Sequence, residues 1–221
     1  AYFPVNTTYE ILKEAMGNFF YCNYEDIFYF HLYDTIYSYN LITGVLSVIA
    51  EDVGEDGMVY VKSKQMLAWQ TRKEQGRTNL VHVLNLDLGT QNDIHAGGGE
   101  ILGLLGAIDD NLILGRSAKE NALFQEDGTL IAAYKRVEIV DFDGNKLKTY
   151  EKDGYYVVDA DIEENIVRLE RVTRESAGRR YQVAEPDFIL NQAASQNRSI
   201  RLSKRVTELM RTEYYLSLPE N

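Results

Sequence analysis

The sequence predicts an all-β fold of antiparallel sheets, and three observations predict it. Apolar runs of four to seven residues alternate with period two and are punctuated by Gly or Asp-Gly turns. Sixteen of the 221 residues are Tyr, a residue that favours strands together with the β-branched ones. A helical pattern is carried by only two short segments: residues 6–16, which a strand over Tyr9–Leu12 fits nearly as well, and residues 185–194, where Pro186 suits a first helical position.

The elements follow in chain order. Hairpins are read over residues 34–49, turning at Asn40–Gly44, and over 80–94, turning at Asn85–Gly89. A third covers 134–150 and turns at Asp141–Gly144; a fourth covers 165–183 and turns near Gly178. In each, glycine supplies the positive φ of a tight turn. Gly-led strands are read at 17–22, 56–61, 127–132 and 153–158, with further strands at 27–33, 65–70 and 111–114. The tail alternates at 199–203 and 211–218 and reads as two more strands. The turn glycines lie 45, 55 and 34 residues apart, near the period of about 40–50 residues of propeller blades. The expected organisation is blade-like repeats over 1–190 and a strand-rich extension over 191–221 packing on the same domain.

Charge narrows the partners. The chain carries 34 acids against 23 bases, a net −11, which disfavours binding to a phosphate backbone. Residues 168–212 are locally basic, with ten Lys/Arg against five acids. They read as ordinary solvated strand faces or, alternatively, as a basic partner-binding face. No apolar run approaches the roughly 18 residues of a membrane-spanning helix, and none has the pattern of a signal peptide. The start at Ala1 reads as a processed or trimmed end. The single cysteine, Cys22, excludes an internal disulfide and a cysteine zinc finger, and its apolar surroundings predict a buried thiol.

Motifs with chemistry are scarce. Gly97–Gly106 is glycine-rich but lacks the Gly-Lys-Ser/Thr ending of a phosphate loop, so it reads as a turn between sheets with close strand packing. Asp141-Phe-Asp143-Gly144-Asn145 resembles the start of a calcium loop, but Lys152 stands where the twelfth-position Glu belongs, which favours a plain hairpin turn. His31, His82 and His95 lack metal-ligand spacing, and no Gly-x-Ser-x-Gly elbow is present. No catalytic residue, metal ligand or cofactor is expected.

The hairpin Ile36-Tyr-Ser-Tyr-Asn-Leu-Ile-Thr-Gly44 resembles the outer hairpin of β-propeller blades of the quinoprotein-like, TolB-like and YWTD-like kinds, and Val137–Asn145 is similar. The resemblance covers roughly residues 17–183; neither a Trp-Asp dipeptide nor a YWTD tetrad accompanies it. It implies a partial or small propeller, with a β-sandwich as the alternative. Four units are few beside the six to eight blades common in propellers, so further blades are expected before Ala1. The chain also resembles uncharacterised secreted bacterial lipoproteins, which implies an extracytoplasmic place.

The function these readings imply is a non-catalytic binding or scaffold module recognising a protein or glycan at the cell surface. A carbohydrate-active enzyme with carboxylates in a central funnel and a cytosolic interaction scaffold are the rivals. Aromatic residues near turn ends are the expected contacts: Trp69, Tyr37 and Tyr155. Trp69 leads, because it is the only Trp and precedes the polar run Gln70–Arg77.

Overall fold

Strands that follow one another in sequence pair with one another in space. The computed structural model describes residues 16–124, 130–163, 165–174, 181–190, 201–206 and 212–217, together with Thr8, Glu10 and Ile11. Most of the segment 6–16 therefore lies outside the described residues. The first sheet is a meander of β1 (Met16–Cys22), β2 (Ile27–Leu32), β3 (Thr35–Asn40) and β4 (Leu46–Ala50). The second runs β5 (Met58–Val61), β6 (Met66–Trp69), β7 (Leu80–Asn85) and β8 (Thr90–Gln91), and β9 (Ile94–His95) also pairs with β7. The third is β10 (Glu100–Ile108) and β11 (Asn111–Ala118), then β14 (Arg136–Val140) and β15 (Lys146–Glu151). A side hairpin of β12 (Ala122–Phe124) and β13 (Leu130–Ala132) leaves the third sheet between β11 and β14. The fourth is β16 (Tyr155–Glu163), β17 (Ile166–Arg174) and β18 (Tyr181–Leu190). By compactness the chain forms two units, Ala1–Ile189 and Leu190–Asn221; the second holds the antiparallel pair β19 (Arg201–Val206) and β20 (Thr212–Ser217).

The turn motif works through a side-chain acceptor followed by a glycine. Asn40 Oδ1 accepts the N–H groups of Ile42 and Thr43, and Gly44 closes the turn at φ 72°. Asn85 Oδ1 likewise accepts from Asp87 and Leu88, with Gly89 at φ 63°. Asp141 Oδ1 accepts from Asp143 and Asn145, with Gly144 at φ 81°. The Asp141 segment is thus a hairpin turn joining β14 to β15. The β2–β3 turn needs no glycine: Tyr33 and Asp34 both adopt positive φ, 50° and 54°, as a two-residue primed turn requires.

Side-chain alternation then packs sheet on sheet. Leu67 and Trp69 of β6 point to the first sheet, where they meet Phe19, Tyr29 and Ile36; Ala68 points the other way, into a cluster with Leu102, Leu104, Leu112 and Leu114 of the third sheet. Ile113 of β11, between two residues of that cluster, turns instead to Val157, Val167 and Leu169 of the fourth sheet. The leading strands converge, β10 lying against both β5 and β16. Consecutive meanders stacked face to face with leading strands together are the arrangement of propeller blades. The two-sheet packing of a β-sandwich is not what these strands form.

Two features lock the stack. Gln70, 1% exposed, donates from Nε2 to the carbonyls of Leu80 (2.7 Å) and Leu102 (2.9 Å) and accepts the Leu104 N–H (2.9 Å). The other is Tyr134, whose buried ring lies across Gly103 and Gly115 while its backbone exchanges hydrogen bonds with Val157. The glycine-rich segment 97–106 is therefore a turn followed by a strand whose missing side chain seats an aromatic ring.

Two expectations are corrected. Residues 185–190 are not helical but end β18, and Pro186 is tolerated because β18 is an edge strand with no further ladder to feed. Cys22 is exposed, not buried, because Phe19 and Tyr21 take the inward parity of β1 and leave Phe20 and Cys22 outward.

A methyl group at Gly115 would sit 2.3 Å from Cγ of Tyr134. Gly115→Ala is expected to lower stability by about 3 kcal/mol through overpacking, read as a drop in the thermal unfolding midpoint; an unchanged midpoint refutes this seating of Tyr134.

Candidate functional site

The three aromatic residues singled out in the sequence lie in three different sheets, and the fold does not bring them together. Trp69 ends β6 opposite His82 and is 2% exposed. The polar run after it folds back as cover: Gln70 is buried, and Glu74 accepts the Thr71 N–H at 2.9 Å. Trp69 therefore offers no surface to a ligand, because its parity matches Leu67 and directs both into the core between the first two sheets. Its indole stacks on His82 with centroids 5.3 Å apart. Nε2 of His82 lies 3.1 Å from Glu74 and Nδ1 lies 3.1 Å from Asp93, which also accepts from Gln91. Burial raises the Glu74 carboxyl, but the Thr71 N–H and the bond with His82 outweigh it and hold the group below the usual carboxylate range.

Tyr155 opens β16, half-buried, and its ring face is already occupied: the Arg171 guanidinium lies 4.4 Å and the Lys152 ammonium 5.3 Å from its centroid. Arg171, 6% exposed, donates to the Glu185 carbonyl (2.8 Å), Asp187 (2.8 Å) and the Tyr150 hydroxyl (3.1 Å). Tyr150 in turn donates to Asp187 at 2.9 Å. Burial raises the Asp187 carboxyl, yet the Phe188 N–H, Tyr150, Lys152 and the charge of Arg171 together pull it below its ordinary value. Two of the ten basic residues read from the sequence are engaged in this way: Arg171 is enclosed, and Arg168 pairs with Glu170 (2.9 Å) and Asp161 (3.5 Å).

Tyr37 lies on a different kind of surface. On β2 the inward positions are Tyr29 and His31, so Phe28 and Phe30 point away from the second sheet, next to Tyr37 of β3. The rings form a ladder, Phe28 to Phe30 at 5.4 Å and Phe30 to Tyr37 at 5.2 Å. The register continues it outward, with Phe20 opposite Phe30 on one side and Val48 opposite Tyr37, Leu46 opposite Tyr39, on the other. Phe20 is 64% exposed and Val48 52%. No described sheet covers this face. Reasoning from turn ends named Tyr37 but not Phe20, Phe28 or Phe30 beside it, although a signal existed: β1–β4 are apolar on both parities, as strands with two buried or binding faces are.

The opposite end of the stack differs. The outward residues of β16 and β17 include Asp159, Asp161, Glu163, Arg168 and Glu170, a charged and solvated surface. Among the described residues, no group of three or more His, Cys, Asp or Glu is placed to hold a metal, and no helix is long and apolar enough to cross a membrane.

No protein-family model matches the chain, and no curated protein matches it. Among solved structures it is similar to the WD40 domain of SCAP from fission yeast, at 8% identity and TM-score 0.31, covering 79% of this chain and 44% of that one. It is also similar to TolB from Acinetobacter baumannii, at 13% identity and TM-score 0.26, covering 74% of this chain and 54% of that one. The chain spans about half the length of either.

Two outcomes are expected. Emission from Trp69 is blue-shifted and resists acrylamide in the folded protein; a red, quenchable emission contradicts its burial. The Asp187 carboxyl is lowered on folding, so its contribution to stability is complete above the ordinary carboxylate value of about 4 and declines below it as pH falls through the lowered folded value. Asp187→Asn therefore costs more stability at neutral pH than at pH 2, a difference that urea titrations at the two pH values measure.

Proposed function

We propose that the chain is a non-catalytic binding module whose contact surface is the outer face of the first sheet, and that its partner is a protein. The observation that carries this reading is the Phe28–Phe30–Tyr37 ladder beside exposed Phe20, on a face that no described sheet covers. Aromatic rings give a large contact area at low entropic cost, and Tyr adds a polar tip. A protein suits the surface better than a glycan: its neighbours are the aliphatic Leu46 and Val48, whereas a sugar site needs placed polar groups for the hydroxyls. The extracytoplasmic place is part of the same proposal and rests on the chain's resemblance to secreted bacterial lipoproteins.

The glycosidase reading is less favoured. A general acid needs a raised carboxyl. Among the described residues, the carboxyls that clearly depart from ordinary values, Glu74, Asp141 and Asp187, are all lowered by hydrogen bonds or neighbouring cations. They also belong to separate sheets and turns.

A photo-crosslinking side chain at position 37, compared with the same probe at position 161 on the charged end, tests the proposal in cells producing the protein. The expected result is a protein adduct from position 37 alone, whose partner loses about 30-fold in affinity on Phe20→Ser, the size of a binding hot spot. Adducts from both positions or neither, or cleavage products from a glycan panel, overturn it.

A further inference from the structure

The four sheets guard their outer edges unequally. Exposed edges pair with other strands unless they are short, charged or broken by proline. The second sheet ends in β8, only two residues long. The third ends in β15, which carries Lys146, Lys148 and Glu151. The fourth ends in β18, which carries Glu185, Pro186 and Asp187. The first ends in β4, Leu46-Ser-Val-Ile-Ala50, with none of these devices. No described strand pairs with its outer edge.

The sequence around β4 sharpens the contrast. Residues 35–50 are sixteen consecutive uncharged residues, the longest such run in a chain that is 26% charged. The hairpin leading into β4 is apolar and open to solvent, with Ile42 76% and Val45 57% exposed.

We infer that β4 is a strand-pairing edge whose partner is β4 of a second copy of this chain, joined antiparallel about a two-fold axis. Charge favours that occupant. Two chains of net −11 repel each other unless they meet through an uncharged surface, and residues 41–50 supply one. Antiparallel pairing sets Val45–Ala50 against itself and places Glu51 and Asp52 of the two copies at opposite ends. The separation is about 20 Å at 3.3 Å per residue, beyond the ~8 Å screening length at physiological salt. Parallel pairing would stack those acids. The contact is isologous, so it closes at two; the guarded edges of the other sheets stop it from growing into a fibre. The site is the backbone edge of the sheet, whereas the proposed protein partner occupies the aromatic face, so either assignment stands without the other.

Sedimentation equilibrium of the whole chain, with a reductant to keep Cys22 from crosslinking, tests the inference. The expected result is a monomer–dimer equilibrium in the micromolar range, weakened at least tenfold by Ser47→Lys, which leaves the aromatic face intact, with Trp69 emission and circular dichroism unchanged. Amide exchange on the unmodified protein gives a reading that needs no variant: the β4 amides gain protection as concentration rises from 1 to 100 μM. A monomer at 100 μM, a dimer indifferent to Ser47→Lys, or β4 exchange independent of concentration overturns the inference.

Discussion

The second and third sheets bury both of their faces, and a strand buried on both sides has nowhere to put an unpaired polar group. The Gln70 side chain is the junction that satisfies this constraint between them. Its amide fills both roles of a missing strand segment, giving two N–H bonds to Leu80 and Leu102 and taking one from Leu104. The backbone continues the same seam, where the Leu102 N–H donates to Thr78 at 2.8 Å. An apolar residue of the same size would leave those three groups unpaired in the core, each costing about 1–3 kcal/mol. One polar side chain thereby ties two meanders that share no ladder of their own.

The same constraint explains where the charges sit. Each interface is an apolar stripe bordered by polar groups that are paired internally. Between the first two sheets, Tyr21 donates to Asp87 and its own ionisation is pushed up to about 12, while His31 donates from Nε2 to the Val53 carbonyl at 2.7 Å. Between the second and third, the buried Glu138 carboxylate lies 2.6 Å from Arg116 Nε, 3.0 Å from Arg136 Nε and 3.2 Å from Lys146. The two Nε–H bonds do not point at the carboxylate oxygens, so these contacts are ion pairs, not aligned hydrogen bonds. Between the third and fourth, Arg171 is enclosed by Tyr150, Tyr155 and Asp187. These groups complete the rims of packed faces, which is why a chain so rich in acids gathers so few of them into one place. Among the described residues, the outward face of the first sheet is aromatic and that of the fourth is charged.

Much of this was legible in the residues. Period-two runs located most of the strands, and the Asn-Leu-x-x-Gly turns at 40–44 and 85–89 marked two hairpins because an acceptor side chain and a positive-φ glycine are local requirements. Lys152 in place of a twelfth-position Glu favoured a hairpin turn at Asp141, and the segment does join β14 to β15 as a turn. What sequence could not assign was which parity of a strand faces inward. Cys22 and Trp69 both sit in apolar strands; one is exposed and the other buried, because inward direction is set by the sheet alongside and not by the neighbours in sequence. The extended end of β18 was likewise hidden, since Pro186 suits a first helical turn as well as a sheet edge. The sequence by itself determined the strands, their turns and the absence of charge along 35–50, for these are properties of a few adjacent residues. Only the tertiary structure decided that Phe20, Phe28 and Tyr37 share one outward face, that Gly103 and Gly115 form the seat of Tyr134, and that β4 ends its sheet among the described strands. Each of those facts depends on which strand lies beside which, and on whether another sheet lies beyond it.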